Sequence, residues 1–482
     1  MTPGRARPGL SFDRMAIALL FIALAFRALL MPAQNDTFWN LRDGMDILRT
    51  GHVPRVDAYS FTAAGAPYTD HEWLAQVLLA VAHRLAGMPG VELIAGAAVL
   101  GALVLIYRLT IGPLLTRFVL LAPALSVASC VWVLRPQVFS LLAESALVWL
   151  IVRERWRWLP PLFVLWANVH GGVVLGGLTL AAATAVALVR WRVRGEVSDA
   201  RRLRALAMAV PLSGLATLCT PLGARLVPYI LLTARRSRAI EISEWAPTLP
   251  VDVLGVAFWI VALAFVAIVV ARGRALATAG WGEWALLGVC AALLPVAIQS
   301  QRNMAPFLMF AAPTASRLLG PDFRFHLPRR HPRPPSPDHP RFNLALAGGV
   351  AVLAATVVLL AWAAPVDRLE WRPISPRAVA ALQACPGRLY NHYDDGGFLI
   401  WFAPDRPVFV DSRQDPYPLD LLLEHEAVER GQRSYRPLFS RYDIGCAFLP
   451  VSSPTVKALN AAGWSTRFRD QRYVVLAAPA PS

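Results

Sequence analysis

The sequence predicts a polytopic α-helical membrane protein with a separate α/β domain at its C-terminal end. Three observations lead to this fold class. Of the 482 residues, 56% are hydrophobic and only 16% are charged, and the mean hydropathy is +0.47. Soluble domains carry about 25% charged residues. The composition therefore excludes an ordinary cytosolic enzyme, a disordered chain and a disulfide-rich secreted module.

The net charge of +16 is concentrated in the apolar part of the chain. Residues 1–365 carry 33 basic and 18 acidic side chains, whereas residues 366–482 carry 14 and 13. Cytoplasmic loops of membrane proteins are enriched in arginine and lysine. The excess charge is therefore explained by membrane topology, and no nucleic-acid partner is expected.

Eleven apolar runs have roughly the length that a ~30 Å hydrocarbon core requires. They lie at 15–32, 91–107, 118–134, 138–152, 159–169, 173–189, 205–221, 253–271, 284–298, 304–319 and 344–364. With the N-terminus inside, the arginine clusters of the connecting loops fall on the cytoplasmic side, as the positive-inside rule requires. The C-terminal end then lies outside.

Two segments test this topology. The apolar stretch 73–87 is interpreted as an interfacial helix, because counting it as a crossing would place the arginine-rich loop 190–204 outside. The stretch 159–189 is interpreted as two crossings that turn at His170-Gly171-Gly172, because arginines flank both of its ends.

Residues 366–482 have the pattern of an extracytoplasmic α/β domain, and residues 1–365 form the membrane domain with a large first external loop at 33–90. The predicted strands are 407–411, 444–449 and 473–477, and the predicted helices are 376–384, 419–430 and 454–462. Cys385 and Cys446 both fall in this domain, and their spacing does not decide whether they pair.

The first external loop supplies the candidate catalytic residues. Asp36 lies at the membrane boundary directly after the first span, where an ionisable residue usually marks a substrate pathway, and Asp70 and Glu72 close the loop. A carboxylate there can act as general base towards an acceptor hydroxyl. Asp43 and Asp46, by contrast, are expected to be solvated charges.

Further polar residues reach the same external side once the topology is fixed. The candidate substrate-binding residues are His71, Arg135, Gln137, Asn168, His170, Glu244, Arg302 and Asn303. Each of them alone has a structural explanation. Their assignment to a binding site therefore depends on all of them reaching the same side of the membrane. Arginine forks match phosphate oxygens bidentately, and a groove between spans would hold a prenyl chain. The set therefore suits transfer from an anionic lipid.

The layout resembles the GT-C superfamily of integral-membrane glycosyltransferases, which use polyprenyl-phosphate-linked sugar donors on the non-cytoplasmic face. The resemblance implies that Asp36 serves as base or metal ligand. The sequence is also similar to that of a bacterial group of membrane proteins placed near these enzymes, at residues 39–44, 71–74, 134–137, 166–170 and 410–413.

Two departures from that superfamily limit what the resemblance implies. His392-Tyr-Asp-Asp-Gly396 stands where oligosaccharyltransferases carry Trp-Trp-Asp-Tyr-Gly, which argues against peptide acceptors of that kind. The first loop has no DxD triplet, so a divalent metal ion as cofactor is left open.

The predicted function is transfer of a hexosyl or pentosyl group from a polyprenyl-phosphate donor to a lipid, glycan or protein acceptor at the external face of the cell membrane. Three alternatives remain. A transporter or flippase of a lipid-linked or anionic substrate would use the broken segment 159–189. An oligosaccharyltransferase-like enzyme is the second. An envelope scaffold is the third, and in it 394–397 and 411–415 would be ordinary turns.

Overall fold

A computed structural model describes residues 9–325, 338–364 and 367–479. The helices before residue 365 are α1 (Phe12–Ala28), α2 (Asn35–Thr50), α3 (Trp73–Leu109), α4 (Leu114–Ala128), α5 (Gln137–Val152), α6 (Leu159–Val169), α7 (Val173–Arg194), α8 (Val197–Ala216), α9 (Leu226–Ala239), α10 (Val253–Ala271), α11 (Trp281–Gln299), α12 (Met304–Leu319) and α13 (Pro340–Ala363). The C-terminal part contains α14 (Pro376–Gln383), β1 (Arg388–Asn391), α15 (Gly396–Phe402), α16 (Leu419–Glu429), α17 (Arg436–Tyr442), β2 (Ile444–Pro450), α18 (Pro454–Ala461), β3 (Ser465–Arg469) and β4 (Tyr473–Ala477).

The predicted membrane fold is confirmed. Each of the eleven apolar runs falls mainly on a helix, and within the described ranges six helices are long and apolar enough to span a bilayer: α3, α4, α7, α10, α11 and α13. Helix α5 is a shorter apolar helix. The count of eleven crossings and the placement of the N-terminus inside stay predictions.

Both ambiguous segments contain a break in the helical backbone. In α3, Ala86 and Gly87 leave helical geometry, with φ of −144° and 64°, and the positive φ favours glycine. This break coincides with the predicted boundary between the segment 73–87 and the crossing 91–107. Helix α6 ends at Val169 and α7 begins at Val173, so the turn at 170–172 lies where the sequence placed it.

Helix α12 lies in the middle of the bundle, packed against α4, α10 and α11. Its residues from Met304 to Ser316 are all buried, as expected for a helix that is apolar on every face and surrounded by other helices. Helix α13 packs on α1 and leaves most of its apolar side chains exposed, as a lipid-facing helix does.

The C-terminal part contains a four-stranded sheet in the order β1-β2-β4-β3. Strand β1 is parallel to β2, and the other two pairings are antiparallel. Strands β2 and β4 confirm two predicted runs, whereas β1 and β3 were not predicted. Cys385 and Cys446 form a disulfide that joins α14's C-terminal end to β2.

The predicted strand 407–411 is not a strand of this sheet. Val408 instead forms an isolated parallel bridge with Ser60 of the first external loop. Its backbone N–H donates to Tyr59 O at 3.0 Å, and Asn391 binds the backbone of Phe409 and Val410. The segment is extended because the first loop and the Asn391 amide satisfy its polar groups.

The C-terminal part docks on helix α2. The Phe38 ring packs against Phe398 and Phe402, with ring centroids 5.5 and 5.0 Å away. A Cβ at Gly397 would lie 2.3 Å from the backbone oxygen of Asn35, so this close approach requires glycine. Membrane helices and C-terminal part consequently share one apolar core.

Candidate active site

A cavity of about 310 Å³ lies where the first external loop, the turn 170–172, the N-terminal end of α12 and the loop 411–415 meet. Its volume falls in the range of small-molecule sites. Nine of the eleven predicted site residues line it: Asp36, His71, Glu72, Arg135, Gln137, His170, Glu244, Arg302 and Asn303. The predicted convergence of polar side chains is therefore observed in the structure.

Asp36 lies in the first turn of α2, where a carboxylate interacts favourably with the helix dipole. Its Oδ2 accepts a hydrogen bond from Arg135 Nη1 at 2.7 Å. Its Oδ1 accepts from Trp39 Nε1 at 3.1 Å and from Ser412 Oγ. The side chain remains 24% exposed, so a substrate hydroxyl in the cavity can reach the carboxylate.

The local sequence explains why Arg135 meets Asp36. Thr37 Oγ1, one residue after Asp36, donates to the backbone oxygen of Leu134 at 2.6 Å. The backbone N–H of Leu134 in turn donates to Pro32 O at 3.1 Å. The start of α2 and the segment before α5 are thereby held together, and the next side chain, that of Arg135, points to the cavity.

A chain of alternating charges crosses the cavity wall. Arg135 Nη2 donates to Glu244 Oε2 at 2.8 Å, and Arg302 Nη1 donates to Glu244 Oε1 at 3.0 Å. The Arg302 guanidinium also lies 4.8 Å from the centre of the Trp245 ring. Burial alone would raise the pKa of Glu244, but Arg302 and Arg135 hold that pKa at about 2. Glu244 is therefore ionised at neutral pH.

A second polar group surrounds Glu72. The Nε2 atoms of His71 and His170 each lie 3.4 Å from Glu72 Oε1. Burial alone would raise the pKa of Glu72, but the two imidazoles and Arg302 hold this pKa at about 2. Burial lowers the pKa of His71, yet the neighbouring Glu72 outweighs it, so the His71 pKa is raised overall. Glu72 and His71 thus form an ion pair.

The tautomer of His170 follows from its neighbours. Trp166 Nε1 donates to Ser140 Oγ at 2.7 Å, and Ser140 Oγ lies 2.7 Å from His170 Nδ1. The backbone N–H of Gly172 also donates to this Nδ1, at 2.9 Å. Because Nδ1 is an acceptor, the proton of the neutral ring is on Nε2, which faces Glu72. Burial lowers the pKa of His170 to about 4, so the ring is neutral at pH 7.

Two predicted site residues lie outside the cavity wall that the structure describes. Asp70 is buried behind the wall, and its Oδ1 accepts from the backbone N–H of Glu72 at 3.1 Å. Asn168 Oδ1 accepts from Trp73 Nε1, and its Nδ2 donates to two backbone oxygens. Burial and these bonds place both residues behind the cavity wall, and their predicted catalytic and substrate-binding roles stay predictions.

Asp43 is not a solvated charge, contrary to the prediction. The side chain is buried and accepts hydrogen bonds from Tyr59 at 2.7 Å and Tyr68 at 2.8 Å. Burial raises the pKa of Asp43 to about 6. Seven residues after Asp36, Asp43 lies on the same inner face of α2. Asp46 is more exposed and pairs with Arg42 at 3.1 Å.

The loop 411–415 contributes residues that sequence analysis did not place in the site. Ser412, Arg413 and Gln414 line the cavity. The Arg413 guanidinium is buried, paired with Asp57 and with Asp411, the latter at 2.7 Å. It also lies 4.8 Å from the Tyr59 ring and 5.0 Å from the Tyr68 ring. The sequence offered two signals for this loop: its charged residues, which are equally typical of a turn, and the similarity of 410–413 to the bacterial group.

The sequence left a divalent metal ion open, and the described residues do not test that expectation. No group of three or more His, Cys, Asp or Glu side chains in the described ranges has the spacing to bind one. At the nearest set of such residues, around Glu72, the His170 Nε2 atom carries a proton and donates. No step of the chemistry is therefore derived through a metal.

Comparisons with known proteins give a match at the level of structure. No protein-family model and no curated protein matches the sequence. The crystal structure of ArnT from Cupriavidus metallidurans bound to undecaprenyl phosphate aligns with a TM-score of 0.50 and 16% identity, over 96% of each chain. The apo structure of ArnT aligns with a TM-score of 0.48 and 16% identity, over 95% of this chain and 97% of that one. The chain therefore shares the fold of ArnT over nearly its whole length.

Proposed function

We propose that the protein is a glycosyltransferase that moves a hexosyl or pentosyl group from a polyprenyl-phosphate-linked donor to a lipid, glycan or protein acceptor. The observation that carries this proposal is the cavity in which the Asp36 carboxylate faces Arg135 and Arg302. The shared fold with ArnT, which was crystallised with undecaprenyl phosphate, supports the choice of donor.

The cavity offers separate surfaces for the two ends of such a donor. Apolar side chains of α7, α9 and α11 line one side: Val174, Leu175, Ile230, Leu231 and Val296. They suit the first prenyl units. Arg135 has one N–H that is available to a ligand, because its buried Nε has no hydrogen-bond partner among the described residues. Arg302 uses only Nη1 towards Glu244. Guanidinium groups with spare donors are suited to phosphate oxygens.

Asp36 performs the proton transfer in this proposal. The acceptor oxygen forms a bond to the anomeric carbon of the sugar while the bond from that carbon to the phosphate oxygen breaks. Asp36 takes the proton of the acceptor hydroxyl. The polyprenyl phosphate leaves as an anion, whose charge Arg135 and Arg302 stabilise.

We place the reaction at the extracytoplasmic face of the cell membrane. The positive-inside rule supports this orientation. The Cys385–Cys446 disulfide supports it independently, because disulfides persist in oxidising compartments and are rare in the cytosol.

The alternatives differ in what they require of the same residues. In an envelope scaffold, residues 411–415 would form an ordinary turn. In the structure, Arg413 of this loop is buried in the wall of the cavity. This placement favours an enzyme or a transporter. A flippase would move the intact lipid-linked donor and leave the glycosidic bond unbroken, so a transfer assay separates the two functions.

The proposal is tested with the full-length protein in lipid nanodiscs and labelled polyprenyl-phosphate pentoses and hexoses. We expect release of polyprenyl phosphate and a labelled acceptor. The Asp36→Asn variant keeps the shape of the side chain and removes the base, which typically costs ~10²–10⁴ in rate. Asp420→Asn, at an exposed carboxylate of α16, is the matched control and should stay active. Movement of intact donor without transfer would contradict the proposal.

A further inference from the structure

A hydrogen-bonded chain runs from the C-terminal part to Asp36. The backbone N–H of Gly397 donates to Asn35 Oδ1. Because this oxygen faces Gly397, the amide nitrogen of Asn35 faces the other way and donates to Ser412 Oγ at 2.7 Å. Ser412 Oγ in turn contacts Asp36 Oδ1. Two of the four groups in this chain, Gly397 and Ser412, belong to the C-terminal part.

The direction of the Ser412 hydroxyl proton is determined by its partners. A serine oxygen has one proton and two lone pairs. Asn35 Nδ2 donates to Ser412 Oγ, and the single N–H of Trp39, 3.1 Å away, is shared between Ser412 Oγ and Asp36 Oδ1. Both groups are donors and therefore occupy the acceptor side of Ser412 Oγ. Asp36 Oδ1 is the remaining partner and can only accept. The hydroxyl of Ser412 is therefore a fixed donor to the Asp36 carboxylate.

The backbone of the loop is held independently of this hydroxyl. Arg413 is paired with Asp57, the backbone N–H of Thr69 donates to Asp415, and Arg236 donates to the backbone oxygen of Gln414 at 3.2 Å. Removal of the Ser412 hydroxyl should consequently leave the loop docked, while Asp36 loses a donor and Asn35 Nδ2 loses its acceptor.

The geometry points to Ser412 as a positioning residue that the C-terminal part supplies to the base of the membrane domain. This inference rests on the proposed role of Asp36. With Arg135 on Oδ2 and Ser412 and Trp39 on Oδ1, the carboxylate is held in one rotamer with its uncommitted lone pairs towards the cavity. The C-terminal part is thus required for the orientation of Asp36, and transfer depends on its docking.

The test compares Ser412→Ala, Ser412→Thr and the control Ser434→Ala, a serine exposed on the same part of the chain. Loss of a hydrogen bond to a charged group corresponds to about a 10- to 100-fold change. We expect Ser412→Ala to lower kcat by about 10-fold or more with the KM for the donor nearly unchanged. Ser412→Thr keeps the hydroxyl and should restore kcat.

Each outcome decides one claim. A wild-type kcat in a well-folded Ser412→Ala variant would overturn the positioning role. Equal loss of abundance and melting temperature in the Ala and Thr variants would also overturn it, in favour of a purely structural role. Full activity of Asp36→Asn would instead show that the proposed base is wrong, a result that the Ser412 variants alone cannot produce.

Discussion

Arg135 Nη2 lies 2.8 Å from Glu244 Oε2, so this arginine is paired with a carboxylate in the wall of the cavity. Arg135 therefore bridges two acids, since its Nη1 binds Asp36. A phosphate that enters the cavity meets a charge-balanced chain with spare N–H groups. Binding can then be tight enough for recognition and still allow the product phosphate to leave.

Glu244→Gln should tighten binding of the product. The substitution removes the negative charge that compensates Arg135 and Arg302, so a polyprenyl phosphate should bind about 10-fold more tightly and leave more slowly. Binding of labelled polyprenyl phosphate and the burst amplitude of transfer check this. Weaker binding in a variant with normal melting would show that Glu244 orients the arginines more than it neutralises them.

Lysine should rescue the two arginine sites to different degrees. Arg135 uses separate nitrogens for Asp36 and Glu244, a span that one ammonium group cannot reproduce. Arg135→Lys should therefore bind the donor nearly as weakly as Arg135→Ala. Arg302 makes a single hydrogen bond to Glu244, so Arg302→Lys should recover most of what Arg302→Ala loses. The measurement is the donor affinity of the four variants. Full rescue by lysine at both sites would show that each site needs only a positive charge and not the arginine fork.

The buried Asp43 should impose a pH dependence on stability. Its pKa is about 6 in the folded protein against 3.8 otherwise, so its contribution is fully present below pH 3.8 and declines as pH rises towards 6. Relative to Asp43→Asn, the wild type should lose up to about 3 kcal/mol across this interval and change little above it. Paired melting temperatures between pH 4 and 8 measure the difference. The exposed Asp405→Asn should give a flat difference.

Membrane topology is open to direct measurement. Arg192 is expected on the cytoplasmic side and Ser412 outside. A reporter that is active only in the cytoplasm should be active when fused at residue 192 and silent when fused at residue 412. Activity at residue 412 would contradict the orientation and place the cavity on the wrong face of the membrane.

The disulfide should be needed for the stability of the C-terminal part. Cys385→Ser or Cys446→Ser removes a cross-link that spans 61 residues, and loss of such a bond in a small domain typically costs about 2–5 kcal/mol. Thermal melting with and without reductant checks this. Cys219→Ser, at an exposed free cysteine, is the control. Equal melting of both variants and the wild type would indicate that the pair stays reduced.

The sequence by itself determined the features that depend on local patterns. Apolar runs of spanning length became helices because hydropathy and chain length decide insertion into a bilayer. The turn at His170-Gly171-Gly172 was readable from its paired glycines between arginine-rich flanks, and the boundary at residue 87 followed from the positive-inside rule. Positions at the ends of spans, such as Asp36 and Arg302, were found because topology alone brings them to one side.

Only the tertiary structure decided which polar residues touch the cavity and which support it. Ser412 binds Asp36 across 376 residues of sequence, and no local pattern encodes such a distance. Asp43 lies seven residues from Asp36, yet it is buried against two tyrosines and not solvated. Asn168 has the same polar amide as any binding residue, but its partners are the Trp73 indole and the backbone oxygens of Val164 and Cys219. The reason is physical: the role of a polar side chain depends on the groups packed around it, and distant segments supply those groups only once the chain is folded.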